Sequence, residues 1–157
     1  MINKHAREAG IEAQFFGADG VDSPDFLTIA GDAAEGTYLT TPFTFGAAGE
    51  DALQMAVNFE ELHGAAPDTW AALTYDAVGM IADALAKTYN AEVAVADNRK
   101  AIRDHLASLD TPEEGYKGVT GLTYFDINGD TVNKPAYVKI VKDGQFVAAD
   151  QQLLELE

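Results

Sequence analysis

The sequence contains no cysteine, which excludes a disulfide scaffold, a Cys-ligated zinc site and a thiol nucleophile from the outset. Positive charge is scarce: ten Lys and Arg against 26 Asp and Glu leave a formal net charge of −16. A field of that sign repels phosphate backbones and anionic lipid, so nucleic acid is not expected as a partner. Long apolar runs are missing too. The most apolar stretch, Val78 to Leu85, is interrupted by Asp83 and falls well short of the ~18 residues a membrane helix needs. The opening Met1-Ile2-Asn3-Lys4-His5-Ala6-Arg7-Glu8-Ala9-Gly10 has neither the apolar centre nor the small-residue cleavage site of a secretory signal. Also absent are a Gly-x-Ser-x-Gly elbow, a Gly-x-x-x-x-Gly-Lys-Ser/Thr phosphate loop and a Gly-x-Gly-x-x-Gly fingerprint, which leaves serine-hydrolase and nucleotide chemistry without an anchor.

What remains is 157 residues with 47% hydrophobic and 23% charged side chains, the composition of a soluble globular protein of one domain or two small lobes. Lys4 to Ala9 reads as the last turns of a helix stopped by Gly10, and Ile11 to Gly17 as a short buried strand. A turn at Gly17-Ala18-Asp19-Gly20 follows. Ser23-Pro24 then supplies an N-cap and a first-turn proline for a helix that runs to about Ala30, and Thr37 to Thr41 is the next strand. Two strands joined by a helix form a βαβ unit and imply a parallel sheet.

Phe43 to Gly49 has no clean period and reads as a connection where the chain changes direction or lobe. From Glu50 to His63, residues Ala52, Met55, Phe59 and Leu62 recur at helical spacing. Asp68 is the expected cap of a longer helix whose stripe is Ala71, Tyr75, Val78, Ile81, Ala82 and Leu85. A third helix is expected from a cap at Asp97, with Ile102, Leu106 and Leu109 as its apolar face. Beyond Thr111-Pro112 the reading turns to strands: Leu122 to Asp126, Ala136 to Val141 and Gln145 to Ala149, with turns at Asn128-Gly129 and Asp143-Gly144. Gln151 to Glu157 reads as a short helix or a tail. The fold class is α/β: parallel βαβ elements plus helices and a C-terminal antiparallel β hairpin.

Chemistry has few footholds. His5, His63 and His105 fall on different elements, none at the i, i+4 spacing of a helical metal pair. Asp126-Ile127-Asn128-Gly129-Asp130 begins like a calcium loop, but Thr131 stands where the loop's turn glycine belongs and Tyr137 where its bidentate Glu belongs, so a hairpin tip is expected instead. Glu60-Glu61 and Glu113-Glu114 read as solvated faces, because adjacent helical residues do not face each other. No metal or cofactor is expected, and no catalysis. Asp19 differs by position: it follows the C-terminal end of a predicted parallel strand and precedes a helix, the crevice where open α/β sheets bind ligands. Its carboxylate suits an ammonium group, or alternatively bonds its own turn backbone. Trp70, the single tryptophan, lies in the first turn of the long helix and reads by spacing as core rather than as a ligand platform.

Five stretches, taken in order, carry a resemblance. They are Ala9-Gly10-Ile11; Phe16-Gly17-Ala18-Asp19-Gly20; Ile29-Ala30-Gly31-Asp32-Ala33-Ala34-Glu35-Gly36-Thr37-Tyr38; Ala72-Leu73-Thr74-Tyr75-Asp76-Ala77-Val78; and Gly118-Val119-Thr120-Gly121 with Phe125-Asp126-Ile127-Asn128-Gly129-Asp130. Together they resemble the C-terminal part of the type I periplasmic binding proteins, in the branched-chain amino-acid (leucine/isoleucine/valine) branch that serves ABC importers. The resemblance implies a partial two-lobe fold. Residues 1–42 would end the second lobe's main block, 43–134 would be the returning part of the first lobe, and 135–157 would rejoin the second lobe and finish in the tail. It implies no enzyme, a periplasmic or extracytoplasmic location, a small amino acid as ligand and a membrane permease as partner of the complete protein. Asp19 would pair with the ligand's α-ammonium, and Trp70 would pack on its side chain from the opposite lobe. Most of the first lobe, with the groups that hold the ligand's carboxylate, is not in the sequence, so the chain alone is expected to bind weakly or not at all. The same fold also serves as the sensory domain of receptors and regulators. A truncated chain that mainly self-associates, as a homodimer, is the other alternative.

Overall fold

The computed structural model describes residues 2–152. Helix α1, Ile2–Glu8, is followed by Gly10 at φ +77°, the left-handed stop that glycine adopts without a Cβ penalty. The strand expected from Ile11 shrinks to β1, Phe16–Gly17. The carbonyls of Ile11 and Ala13 accept the Arg7 guanidinium at 2.7 and 2.9 Å instead of joining a ladder, and that guanidinium also lies 4.5 Å from the centre of the Phe15 ring. Ser23 caps α2, Pro24–Ala30, by accepting the Asp25 N–H at 3.2 Å, with Pro24 at the helix start. Strand β2, Tyr38–Thr41, then pairs in parallel with β1, Phe16 opposite Tyr38. The βαβ unit is therefore present.

Strands β5, Tyr137–Lys142, and β6, Gln145–Ala148, form the C-terminal hairpin and complete a mixed sheet in the order β1-β2-β5-β6. Asp143 and Gly144 both have positive φ, 53° and 71°, as a two-residue hairpin turn of the twist-matching kind requires. The Glu35 carboxylate accepts both of their N–H groups, at 2.9 and 3.3 Å. Strand β5 runs antiparallel to β2 with Leu39 opposite Lys139. Below this sheet Phe26, Ala30, Ala34 and Val141 are buried together.

A second apolar cluster, Phe43, Ala52 and Ala72, joins the connection after β2 to the helices. Helix α3, Glu50–His63, buries Ala52 and Met55 but leaves Leu62 exposed. Asp68 caps α4, Thr69–Thr88, by accepting the Ala71 N–H at 2.8 Å. The expected stripe of α4 is on its outer side. Tyr75, Val78, Ile81 and Leu85 are exposed, whereas Thr69, Ala72, Asp76 and Ala84 are buried, because α4 packs small residues against α5 and β3. Helix α5 spans Val95–Ala107, so Asp97 lies inside its first turn and is not the cap. Asn98 is buried there and closes the end of α4, accepting Asn90 N–H and donating to Asn90 O, both at 2.8 Å.

Strands β3, Tyr116–Gly118, and β4, Gly121–Thr123, make a separate two-stranded ladder. The longer strand expected to reach Asp126 breaks into a single bridge, Phe125 with Thr131, since the Asp126 carboxylate accepts the N–H groups of Asn128 and Asp130 and folds the backbone into a tip. Most of the segment expected as a C-terminal helix or tail, 153–157, lies outside the described residues. No helix among them is long and apolar enough to cross a membrane.

Candidate functional site

Asp19 opens a single 3-10 turn, Asp19–Val21, directly after β1. The turn is closed by Val21 N–H on Ala18 O at 3.2 Å and Asp22 N–H on Asp19 O at 2.9 Å. Its backbone is thus engaged, while the half-buried Asp19 carboxylate has no hydrogen-bond or ion-pair partner among the described residues. The alternative in which that carboxylate bonds its own turn does not occur. Gly17 permits the tight approach: a Cβ there would meet Val21 Cγ2 at 2.6 Å.

Trp70 is the second residue of α4 and is 40% exposed. It is not a core residue, contrary to the reading from helical spacing. Thr69 before it and Ala72 two residues on take the buried positions of this first turn.

A buried polar cluster connects the segments that carry these two residues. Asp22, Thr41, Thr69 and Lys139 are each 9% exposed or less. Asp22 Oδ2 accepts from Thr41 Oγ1 at 2.7 Å, Thr69 Oγ1 at 2.7 Å and Lys139 Nζ at 2.8 Å, and Oδ1 accepts from Lys139 Nζ at 3.1 Å. The Thr69 hydroxyl also accepts from Lys139 Nζ at 3.0 Å. Each threonine has one hydroxyl proton, which goes to the nearer, charged carboxylate and leaves Phe43 O at 3.2 Å as the weaker acceptor. Asp22 is the residue after the Asp19 turn, and Thr69 is the residue before Trp70. The cluster therefore ties together the two elements that carry the residues singled out in the sequence.

A second cluster joins two of the stretches that carried the resemblance. Asp76 on α4 is buried and accepts from Val119 N–H at 2.7 Å, Thr120 N–H at 2.8 Å and Thr120 Oγ1 at 2.5 Å. Lys134 Nζ donates to Thr120 O and Oγ1, each at 3.3 Å. Burial lowers the Lys134 pKa below the ordinary lysine value, with the Asp76 charge opposing. These groups satisfy one another and turn the chain after β3.

The histidines do not converge. His5 faces Glu8 at 3.2 Å on the surface, His63 packs on Phe59, and His105 Nε2 lies 3.6 Å from Asp83. No group of three His, Cys, Asp or Glu that could hold a metal occurs among the described residues. Surface concavities of about 540 and 640 Å³ lie elsewhere, against α1 with the end of α2 and against Phe125–Gly129, and neither includes Asp19 or Trp70.

Sequence reasoning missed Asp22, Thr41, Thr69 and Lys139. One signal was available. In the alternating strand Tyr137-Val138-Lys139-Ile140-Val141, Lys139 is in phase with Val141, which is 1% exposed. A charge on the buried face of a strand demands a partner.

A model described as periplasmic binding protein matches residues 1–145. The leucine-binding protein LivK of Thermotoga maritima superposes with a TM-score of 0.78 at 28% identity, over 94% of this chain and 39% of that one. LivJ of Streptococcus pneumoniae, a branched-chain amino acid transporter substrate-binding protein solved in complex with isoleucine, gives 0.78 at 30% identity, over 97% and 40%. A leucine-, isoleucine-, valine-, threonine- and alanine-binding protein of Pseudomonas aeruginosa is 40% identical over 45 residues, which is 29% of this chain and 12% of that protein. The chain thus spans about two-fifths of the length of these solved relatives. The family is one of binding proteins, not enzymes, and the α/β architecture with its βαβ unit and C-terminal hairpin agrees with it. With a family model covering nearly the whole chain and two solved amino-acid-binding relatives sharing its fold, the chain belongs to the periplasmic binding proteins.

Proposed function

We propose that this chain supplies two contacts of an amino-acid-binding cleft, in the substrate-binding component of an ABC importer working outside the cytoplasmic membrane with a permease as partner. Asp19 receives the α-ammonium of a branched-chain or other small amino acid, and the Trp70 ring packs on its side chain. The observation that carries this reading is the Asp19 carboxylate beyond β1, without a partner among the described residues and joined through Asp22 and Thr69 to the helix start that carries Trp70. The isoleucine complex of the S. pneumoniae relative supports the ligand class. In this reading residues 1–42 and 135–157 belong to one lobe and 43–134 to the other. The separate clusters around Phe26 and around Ala72 support that division.

An ammonium–carboxylate bond of about 2–3 kcal/mol with a ring contact of about 1–2 kcal/mol, set against the cost of lost translational and rotational freedom, gives a Kd of about a millimolar or weaker. A thermal-shift scan against free amino acids tests the reading, since ligand at about ten times its Kd adds about 1.4 kcal/mol. Stabilisation by a branched-chain amino acid that is lost in Asp19→Ala is the expected result. Stabilisation that survives Asp19→Ala, or none with any amino acid at tens of millimolar, counts against it.

One observation favours a second reading, self-association. Tyr75, Val78, Ile81 and Leu85 form a continuous exposed apolar face on α4, of the kind that marks an interaction surface. Light scattering across a dilution series decides it: a concentration-dependent dimer lost in Val78→Glu supports it, and a monomer throughout rejects it.

A further inference from the structure

Lys139 is buried, yet it is bonded to the two segments that carry Asp19 and Trp70. Its ammonium spans Asp22, which ends the Asp19 turn, and Thr69, which precedes Trp70. Both connections are short and stiff. The turn from Asp19 to Asp22 is closed by the Asp22 N–H on Asp19 O, and the first turn of α4 is locked by Asp68 on Ala71 N–H. Thr41, at the end of β2, and Lys139, opposite Leu39 in β5, anchor the cluster to two paired strands.

We propose that Lys139 is a positioning residue for the amino-acid site: by bonding Asp22 and Thr69 at once, it fixes the Asp19 turn relative to the start of α4. This rests on the reading of Asp19 and Trp70 given above. A buried ion pair is a poor device for stability alone, because an apolar pair of similar volume does as well or better. What it adds here is direction. Three donors converge on one carboxylate oxygen, and any shift of α4 against the turn lengthens a charge-assisted bond. An apolar replacement would fill the space but tolerate sliding.

The test separates positioning from stability. The double variant Asp22→Leu/Lys139→Met removes both charges and keeps apolar bulk, so its melting temperature stays at or above that of the unmodified chain. Its affinity for L-leucine falls about tenfold, the effect expected for losing one hydrogen bond to a charged group. Acrylamide quenching of Trp70, the single tryptophan, changes in the ligand-free protein. Thr69→Val shows the same two effects and Thr69→Ser restores both, because the hydroxyl alone is at issue. A folded double variant with unchanged L-leucine affinity and unchanged quenching overturns the proposal. Should the unmodified chain bind no L-leucine, the site reading fails on its own. Quenching in the ligand-free chain then decides for Lys139: a change in both the double variant and Thr69→Val upholds the tie, and identical quenching in all four proteins refutes it.

Discussion

Replacing Gly118 by alanine should destabilise this protein strongly, although alanine is the better residue by intrinsic propensity. Gly118 does not use a left-handed backbone, so the effect is steric. A Cβ at this position would lie 2.3 Å from Asp76 Cγ and Oδ1 and 2.4 Å from Oδ2. The carboxylate cannot yield cheaply, since it accepts from Val119 N–H, Thr120 N–H and the Thr120 hydroxyl. Hydrogen bonds to a charged group contribute about 1.5–3 kcal/mol each, and displacing the carboxylate forfeits part of all three, so Gly118→Ala should cost about 3–5 kcal/mol. At about 2–4 °C per kcal/mol for a chain of this size, the melting temperature falls by roughly 6–20 °C. Differential scanning calorimetry of Gly118→Ala, Asp76→Ala and the double variant closes the cycle. With the carboxylate gone there is room for the methyl, so in the Asp76→Ala background Gly118→Ala should cost less than about 0.5 kcal/mol. An unchanged melting temperature for Gly118→Ala, or an equal loss in both backgrounds, would refute the argument.

Asn98→Ala removes both bonds to Asn90 and should cost about 1–3 kcal/mol in urea unfolding, with the loss of amide protection confined to the junction of α4 and α5. Acid should weaken the fold through Asp126, whose carboxyl is held below the ordinary aspartate value chiefly by the Asp130 N–H and then by the Asn128 N–H. Because its folded pKa is the lower one, its contribution is complete above about pH 4 and is lost as the pH falls through the depressed value. Melting temperatures followed downward from about pH 5 should fall less steeply in Asp126→Asn than in the unmodified chain.

Much of the fold was legible because its signals are local. Ser23-Pro24, Gly10, Asp68 and Asp143-Gly144 each act through their own backbone, and each does in the structure what the sequence implied. Elements whose ends depend on distant partners were misjudged. Arg7 takes the carbonyls that would have lengthened β1, and the α4 stripe faces outward because packing chose the opposite, small-residue face. Asp19 stood out by its strand-end position, whereas Trp70 read by spacing as core and gained a ligand role only from the family resemblance. Asp22, Thr69 and Lys139 could not be assembled, since Lys139 meets its partners across 117 and 70 residues of chain. Only the phase of Lys139 with Val141 hinted that a partner was needed.

The most direct measurement follows Trp70 fluorescence in the purified chain during titration with L-leucine and, in parallel, with 4-methylpentanoate, which has the same side chain and carboxylate but no ammonium. L-leucine should give a saturable change in the millimolar range. The analogue should give no comparable change, and neither should L-leucine with Asp19→Asn. An equal response to both compounds, or an L-leucine response that persists in Asp19→Asn, would contradict the assignment of Asp19 to the ammonium.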